Sequence, residues 1–195
     1  MAEIVVTMGA NQGLYICMQA FIHPGDEVIL FEPAFDSYFA QTQLAGGKAV
    51  HVPLRVVDPS NPTSARFGIC LEEFSRAFTS KTRAVVLNTP HNPLGKVFTR
   101  DELVEICEVI KAHENVICIT DEVYEHILYD GADHTRVATI DGMWNRTVTV
   151  SSSGKSFSLT GWKVGWCVGP ETLIQRLAMM NQWIQFSVTT PTQAA

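Results

Sequence analysis

Gly154-Lys155-Ser156 lies within VTVSSSGKSFSLTGWKVGW, residues 148–166, and poses a choice between two chemistries. A glycine, a lysine and a hydroxyl in that order end the loop that wraps nucleotide phosphates. A lysine beside hydroxyls is also an amine suited to covalent catalysis. The nucleotide loop, G-x-x-x-x-G-K-[ST], places its first glycine at position 149. That residue is Thr149, and residues 143–153 contain no glycine. The backbone there could not cradle a nucleotide's phosphates. The remaining alternative is a solvated surface lysine, and it has to be weighed against the company Lys155 keeps.

That company stands at the ends of other apolar runs. Residues 116–120 lead straight into Asp121-Glu122-Val123-Tyr124, an acid with a phenol three positions on. Residues 84–87 lead into NTPHNPLG, where Pro90 and Pro93 stiffen the chain that carries Asn92. Residues 5–8 lead into Gly9-Ala10-Asn11-Gln12, small residues at a predicted helix start, where free amides and the helix dipole favour an anion. Residues 28–31 lead into Glu32-Pro33-Ala34-Phe35, an aromatic in a loop. Together the five places offer an anion site, a flat aromatic, an oriented amide, a carboxylate with a phenol, and an amine. Pyridoxal phosphate (PLP) wants all five. Its aldehyde takes an amine, its ring nitrogen a carboxylate, its ring oxygen donors, its ring face an aromatic and its phosphate an anion site.

The elements that must position these groups follow from the apolar periodicity. Short apolar strands are predicted at residues 5–8, 28–31, 49–54, 84–87, 116–120, 147–150 and 164–168. Helices are predicted from Gly9 to near His23, at residues 36–44 and 71–78, from Thr99, and at 171–186; residues 57–68 read as a loop. Thr99 is a natural helix cap, with Glu102 placed to close a capping box and Leu103, Ile106, Cys107 and Ile110 as the apolar stripe. Alternation of strand and helix implies a three-layer α/β/α domain around a mainly parallel sheet, with ligands at the carboxyl ends of the strands.

Composition narrows the rest. Of 195 residues, 46% are hydrophobic and 17% charged, which suits one domain with a full core. A net charge of −6 without a basic stripe disfavours nucleic acid. The five cysteines are odd in number and form no CxxC, which points away from a disulfide framework and towards a reducing compartment. No apolar run is long enough to span a membrane. Both ends read as interior text. Residues 4–6 form a strand with no lead-in, and the helix-forming residues after Pro191 stop at Ala195. The expectation is a piece of a longer protein.

Four stretches, GDEVILFEPAFDSY, NTPHNPLGKVF, ITDEVYEHI and SSSGKSFSLTGWKVGW, resemble the fold type I, class I/II PLP-dependent aminotransferases. The likeness is greatest to the kynurenine aminotransferase and cysteine-S-conjugate β-lyase group, with methionine-type aminotransferases near. It covers the whole chain but about half of a full family member, the large domain without the N-terminal arm and small domain. The resemblance implies transamination between an amino acid (kynurenine, aromatic, methionine or glutamine type) and a 2-oxo acid, with β-elimination as a side activity. Lys155 would form the Schiff base with the cofactor and shuttle the proton. Asp121 would pair with the ring nitrogen, and Tyr124 and Asn92 with the ring oxygen, Asn92 also reaching the substrate carboxylate. Phe35 would stack on the ring, and Ala10, Asn11, Ser152 and Lys163 would hold the phosphate. Many relatives carry arginine where Lys163 stands, which would give a fork rather than a point charge. A lysine in this role must shed its proton for part of the cycle, which burial and a nearby cation assist. The family also implies a homodimer in the full-length form, in the cytoplasm or, with an address preceding Met1, the mitochondrion.

Two alternatives stand beside this reading. The chain could be a catalytically incomplete fragment that binds PLP or associates with full-length subunits without turnover. A metal could be held by Glu122, Glu125, His126, Asp130 and His134, although Glu122 and His126 at i, i+4 fit a helix-surface pair better.

Overall fold

A computed structural model describes residues 2–57 and 59–194. Eight strands form one sheet: β1 (Ile4–Thr7), β2 (Glu27–Glu32), β3 (Lys48–Val56), β4 (Phe67–Ile69), β5 (Thr82–Asn88), β6 (Ile117–Asp121), β7 (Thr147–Ser152) and β8 (Gly165–Val168). Their spatial order is β1-β8-β7-β6-β5-β2-β3-β4. The central pairs, from β3 to β7, are parallel; β8 runs antiparallel to both β1 and β7, and β4 runs antiparallel to β3. The helices are α1 (Ala10–Phe21), α2 (Asp36–Leu44), α3 (Leu71–Arg76), α4 (Arg100–Lys111), α5 (Ser153–Ser156), α6 (Glu171–Gln185) and α7 (Thr190–Ala194).

The central strands are largely apolar in their middles because both faces of the sheet are covered there. Strand side chains alternate between faces. Val28, Leu30, Ala84, Val86, Ile117 and Ile119 therefore pack with Leu14, Met18 and Phe21 of α1, Tyr38 of α2, and Ile174 and Leu177 of α6. Their neighbours Ile29, Phe31, Val85, Leu87 and Cys118 pack on the other side with Phe74 of α3 and Leu103, Ile106, Cys107 and Ile110 of α4. This is the predicted three-layer α/β/α domain, with continuous apolar strands as parallel sheets require.

The start of α4 follows its local sequence. Glu102 N–H donates to Thr99 Oγ1 at 3.2 Å, and Thr99 N–H donates to Glu102 Oε2 at 2.8 Å, which closes the capping box. Elsewhere the structure adds to the sequence reading. The predicted loop 57–68 ends in β4, held by pairing with Leu54, Arg55 and Val56 of β3. The chain after β6 makes turns rather than a helix, so Glu122 and His126 do not share a helix face. Glu122 is fully buried, and its carboxylate instead meets His134 Nε2 at 2.9 Å and accepts from Val137 N–H at 3.2 Å. Glu125 bonds Arg136 and accepts from Ser151 Oγ, while His126 is exposed. Glu122, Glu125 and His134 are thus taken up by pairings of their own. No helix among the described residues is long and apolar enough to cross a membrane.

Candidate active site

The carboxyl ends of β5, β6 and β7 and the loops beside them enclose a cavity of about 380 Å³. All nine predicted site residues line it: Ala10, Asn11, Phe35, Asn92, Asp121, Tyr124, Ser152, Lys155 and Lys163.

Asp121 is the last residue of β6 and is 5% exposed. Its Oδ2 accepts a 2.7 Å hydrogen bond from Tyr38 Oη, and Oδ1 accepts from Val123 N–H at 3.3 Å. Burial pushes its pKa up to about 6; the Tyr38 hydroxyl, the Val123 amide and the charge of Lys155 oppose that rise, and neighbouring Glu122 adds to it. The Tyr38 hydroxyl is itself driven well above the usual tyrosine range, by burial first and then by the Asp121 charge.

Asn92 is held by a relay from the same strand end. Asn88 lies opposite Asp121 across the β5–β6 ladder and donates from Nδ2 to the Asp121 carbonyl at 2.9 Å. Asn88 Oδ1 then accepts from Asn92 N–H at 2.6 Å. The loop is closed by His91 N–H to the Lys96 carbonyl at 2.8 Å and Gly95 N–H to the His91 carbonyl at 2.7 Å. Lys96 is 1% exposed and places Nζ 2.8 Å from Glu102 Oε1. The same glutamate that caps α4 therefore anchors the asparagine loop.

Lys155 sits on α5, a single turn that follows β7 directly. Its Nζ lies 5.7 Å from the centre of the Tyr124 ring. The side chain is exposed at the cavity mouth, so this chain does not supply the burial that sequence reasoning asks for around the amine. The turn after α5 folds back on itself: Ser153 N–H and Oγ both donate to the Val164 carbonyl, and Thr160 Oγ1 donates to the Gly154 carbonyl. Lys163, in left-handed conformation at φ 56°, is thereby carried to the start of α1.

That start is built for close approach. Gly9 precedes α1 at φ 77°, and no side chain caps the helix, which leaves its first-turn amides facing the cavity end. A Cβ on Gly165 would fall 2.5 Å from Gly9 C and 2.7 Å from Ala10 N, so only glycine lets β8 lie against this turn. Gln41 Nε2 donates to both the Asn11 carbonyl and Asn11 Oδ1 at 3.1 Å, which fixes Asn11. Phe35 meets Tyr38 edge-on, with ring centres 5.7 Å apart.

Sequence reasoning missed Tyr38, Asn88, Gln41 and Gly165. Tyr38 stood in a quoted motif three positions after Phe35, the spacing at which helix-start residues share a side. Asn88 directly ends a strand, the signal used for Asp121. Gln41 and Gly165 carried no local signal.

The comparisons with known proteins now decide the family. The family model for aminotransferase class I and II matches residues 1–195. The chain belongs to the class I and II aminotransferases. The kynurenine–oxoglutarate transaminase of Dictyostelium discoideum is 46% identical over 203 residues, covering 100% of this chain and 47% of that protein. The structure of N-succinyldiaminopimelate aminotransferase from Mycobacterium tuberculosis superposes with a TM-score of 0.91 at 39% identity, over 99% of this chain and 48% of the other. YbdL of Escherichia coli, identified with a methionine aminotransferase function, gives 0.90 at 38%, over 98% and 48%. The chain thus spans about half the length of the relatives it matches.

Aminotransferases of this family use PLP, and the cavity has the chemistry that molecule needs. Uncapped amides beside Lys163 and Ser152 suit a phosphate. A buried acid suits a cationic ring nitrogen. An aromatic face and an amine complete the set.

Proposed function

We propose that residues 1–195 are the PLP-binding large domain of a longer aminotransferase, which moves an amino group between an amino acid and a 2-oxo acid. The carrying observation is convergence: side chains from five strand ends, far apart in sequence, line one cavity. Bound there, PLP supplies an electron-withdrawing ring that stabilises the negative charge left at the substrate Cα when its proton is removed.

The chain's own residues do the rest. Lys155 Nζ would be the amine that holds the cofactor, and it would take and return the proton of the substrate carbon. With its pKa pushed up to about 6 by burial, Asp121 is mainly ionised at neutral pH, and it would pair with the ring nitrogen and keep a proton on it. Tyr124 and Asn92 would donate to the ring oxygen, and Asn92 would also orient the substrate carboxylate. Phe35 would cover the ring face. The Ala10 and Asn11 amides, the Ser152 hydroxyl and the Lys163 ammonium would hold the phosphate.

The substrate class follows the relatives: kynurenine with 2-oxoglutarate first, then aromatic, methionine and glutamine-type amino acids. Elimination from cysteine S-conjugates is a side activity of the same chemistry. The full-length protein acts as a cytoplasmic homodimer. Support for an assembly comes from large exposed apolar side chains, Phe157, Trp183 and Phe186 among them, of the kind a subunit or domain contact covers. Free cysteines, four of them buried, fit a reducing compartment.

Mixing the purified chain with PLP tests the reading. A yellow adduct that borohydride fixes on the Lys155 peptide is expected, and no adduct, or one spread over surface lysines, refutes the site. Conversion of kynurenine and 2-oxoglutarate to glutamate distinguishes an active enzyme from a fragment that binds without turnover.

A further inference from the structure

Tyr38 lies outside the set of groups that face the cavity, yet it touches two of them. Its hydroxyl donates to Asp121 Oδ2 at 2.7 Å, and both side chains are buried. Its ring meets Phe35 edge-on at 5.7 Å and 83°. Tyr38 is itself fixed: its N–H donates to the Phe35 carbonyl at 3.1 Å, and its carbonyl accepts from Thr42 Oγ1 at 2.8 Å. One side chain thus ties the acid at the end of β6 to the aromatic before α2.

We propose that Tyr38 is a positioning residue that sets both the orientation and the charge of Asp121. Oδ2 is engaged by the phenol and Oδ1 by the Val123 amide, so the carboxylate plane is fixed by two donors on different elements. The charged and titratable groups around Asp121 are few: Tyr38 from α2, Glu122 and Tyr124 from the following turn, and Lys155 from α5. The residues opposite it on the flanking strands, Asn88 and Val150, carry no charge. Among the described residues, the Tyr38 hydroxyl is the one side-chain donor bonded to this buried carboxylate. A donor to a charged acceptor favours the charged form. Losing that donor shifts Asp121 towards the protonated form, which cannot partner a cationic ring nitrogen.

The inference rests on the reading of Asp121 under Proposed function, and the test separates the two. Carbon-13 NMR of the aspartate carboxyls in the PLP-free chain follows the Asp121 midpoint directly, with Asp121→Asn supplying the assignment. Tyr38→Phe, which keeps the ring against Phe35, is expected to raise that midpoint by about one pH unit or more. Fluorotyrosines placed at position 38 keep the shape and make the phenol a stronger donor, and they are expected to lower the midpoint in order of phenol acidity. This trend is one that a role in packing would not produce, and it decides the matter even where Tyr38→Phe does not fold. A midpoint unmoved by Tyr38→Phe in a folded chain, or no trend across the fluorotyrosines, overturns the proposal. Adduct formation at Lys155 on adding PLP to the same sample reports separately on the cofactor site.

Discussion

Removing the charge of Asp121 should stabilise the PLP-free protein, and by an amount that grows with pH. The acid titrates near 3.9 in an unfolded chain and at about 6 here, because burial penalises its ionised form more than its donors and neighbours relieve it. The folded state therefore holds the proton to higher pH than the unfolded state does. Asp121 adds no penalty below about pH 4, where both states are protonated, and its penalty builds between there and about 6, above which it is full. A two-unit rise corresponds to about 3 kcal/mol once both states are ionised. Asp121→Asn retains an oxygen for the Tyr38 hydroxyl and has no charge to desolvate. Its stability advantage over the parent should increase by about 2 kcal/mol between pH 4.5 and pH 8. Urea unfolding of both proteins at the two pH values measures this, and the other nineteen acids, common to both proteins, cancel in the comparison. An advantage that stays constant with pH would show that Asp121 is not desolvated, and the account of a buried, function-bearing acid would fail. The same substitution should abolish any transamination, since asparagine cannot hold the ring nitrogen's proton.

Three further outcomes follow. Lys155→Ala should change unfolding free energy by less than about 0.5 kcal/mol, because the side chain is exposed, while eliminating the borohydride-stable adduct seen by peptide mass analysis. Gly165→Ala should cost about 1–3 kcal/mol in urea unfolding, since the added carbon meets Gly9 and Ala10 backbone atoms that cannot move aside, and it should weaken PLP retention in equilibrium dialysis. Asn88→Ala should cost about 1–3 kcal/mol, as it removes the acceptor of the Asn92 amide and leaves the Asp121 carbonyl with Thr89 N–H alone, and it should expose the 89–95 amides to faster hydrogen exchange.

What the sequence made legible was local. The box at Thr99 and Glu102 is a three-residue spacing, and it formed as written. The runs at β2, β5 and β6 are apolar at every step because both faces are covered, so strand ends could be placed within a residue or two, and Asp121, Asn92 and Phe35 with them. What stayed hidden depends on distant partners. β4 is three residues long and exists because β3 lies beside it. The bond from Tyr38 to Asp121 spans 83 positions, and nothing near Tyr38 names its acceptor. The space that requires Gly165 is defined by the backbone of Gly9 and Ala10. The pairing of Glu122 with His126 failed for a related reason: an i, i+4 spacing brings side chains together only on a helix, and the chain there turns.

The placement of β1 has a consequence for how the chain comes to bind anything. The first strand does not adjoin the second; it closes against β8, whose residues 165–168 are synthesised more than 150 positions later. The turn after β1, proposed above to take the phosphate, gains its neighbours Gly165 and Lys163 by that closure. A nascent chain can therefore assemble the acid and asparagine end of its crevice well before the anion end exists. Affinity for a phosphorylated ligand should appear abruptly, in a ladder of ribosome-stalled lengths, when β8 clears the exit tunnel.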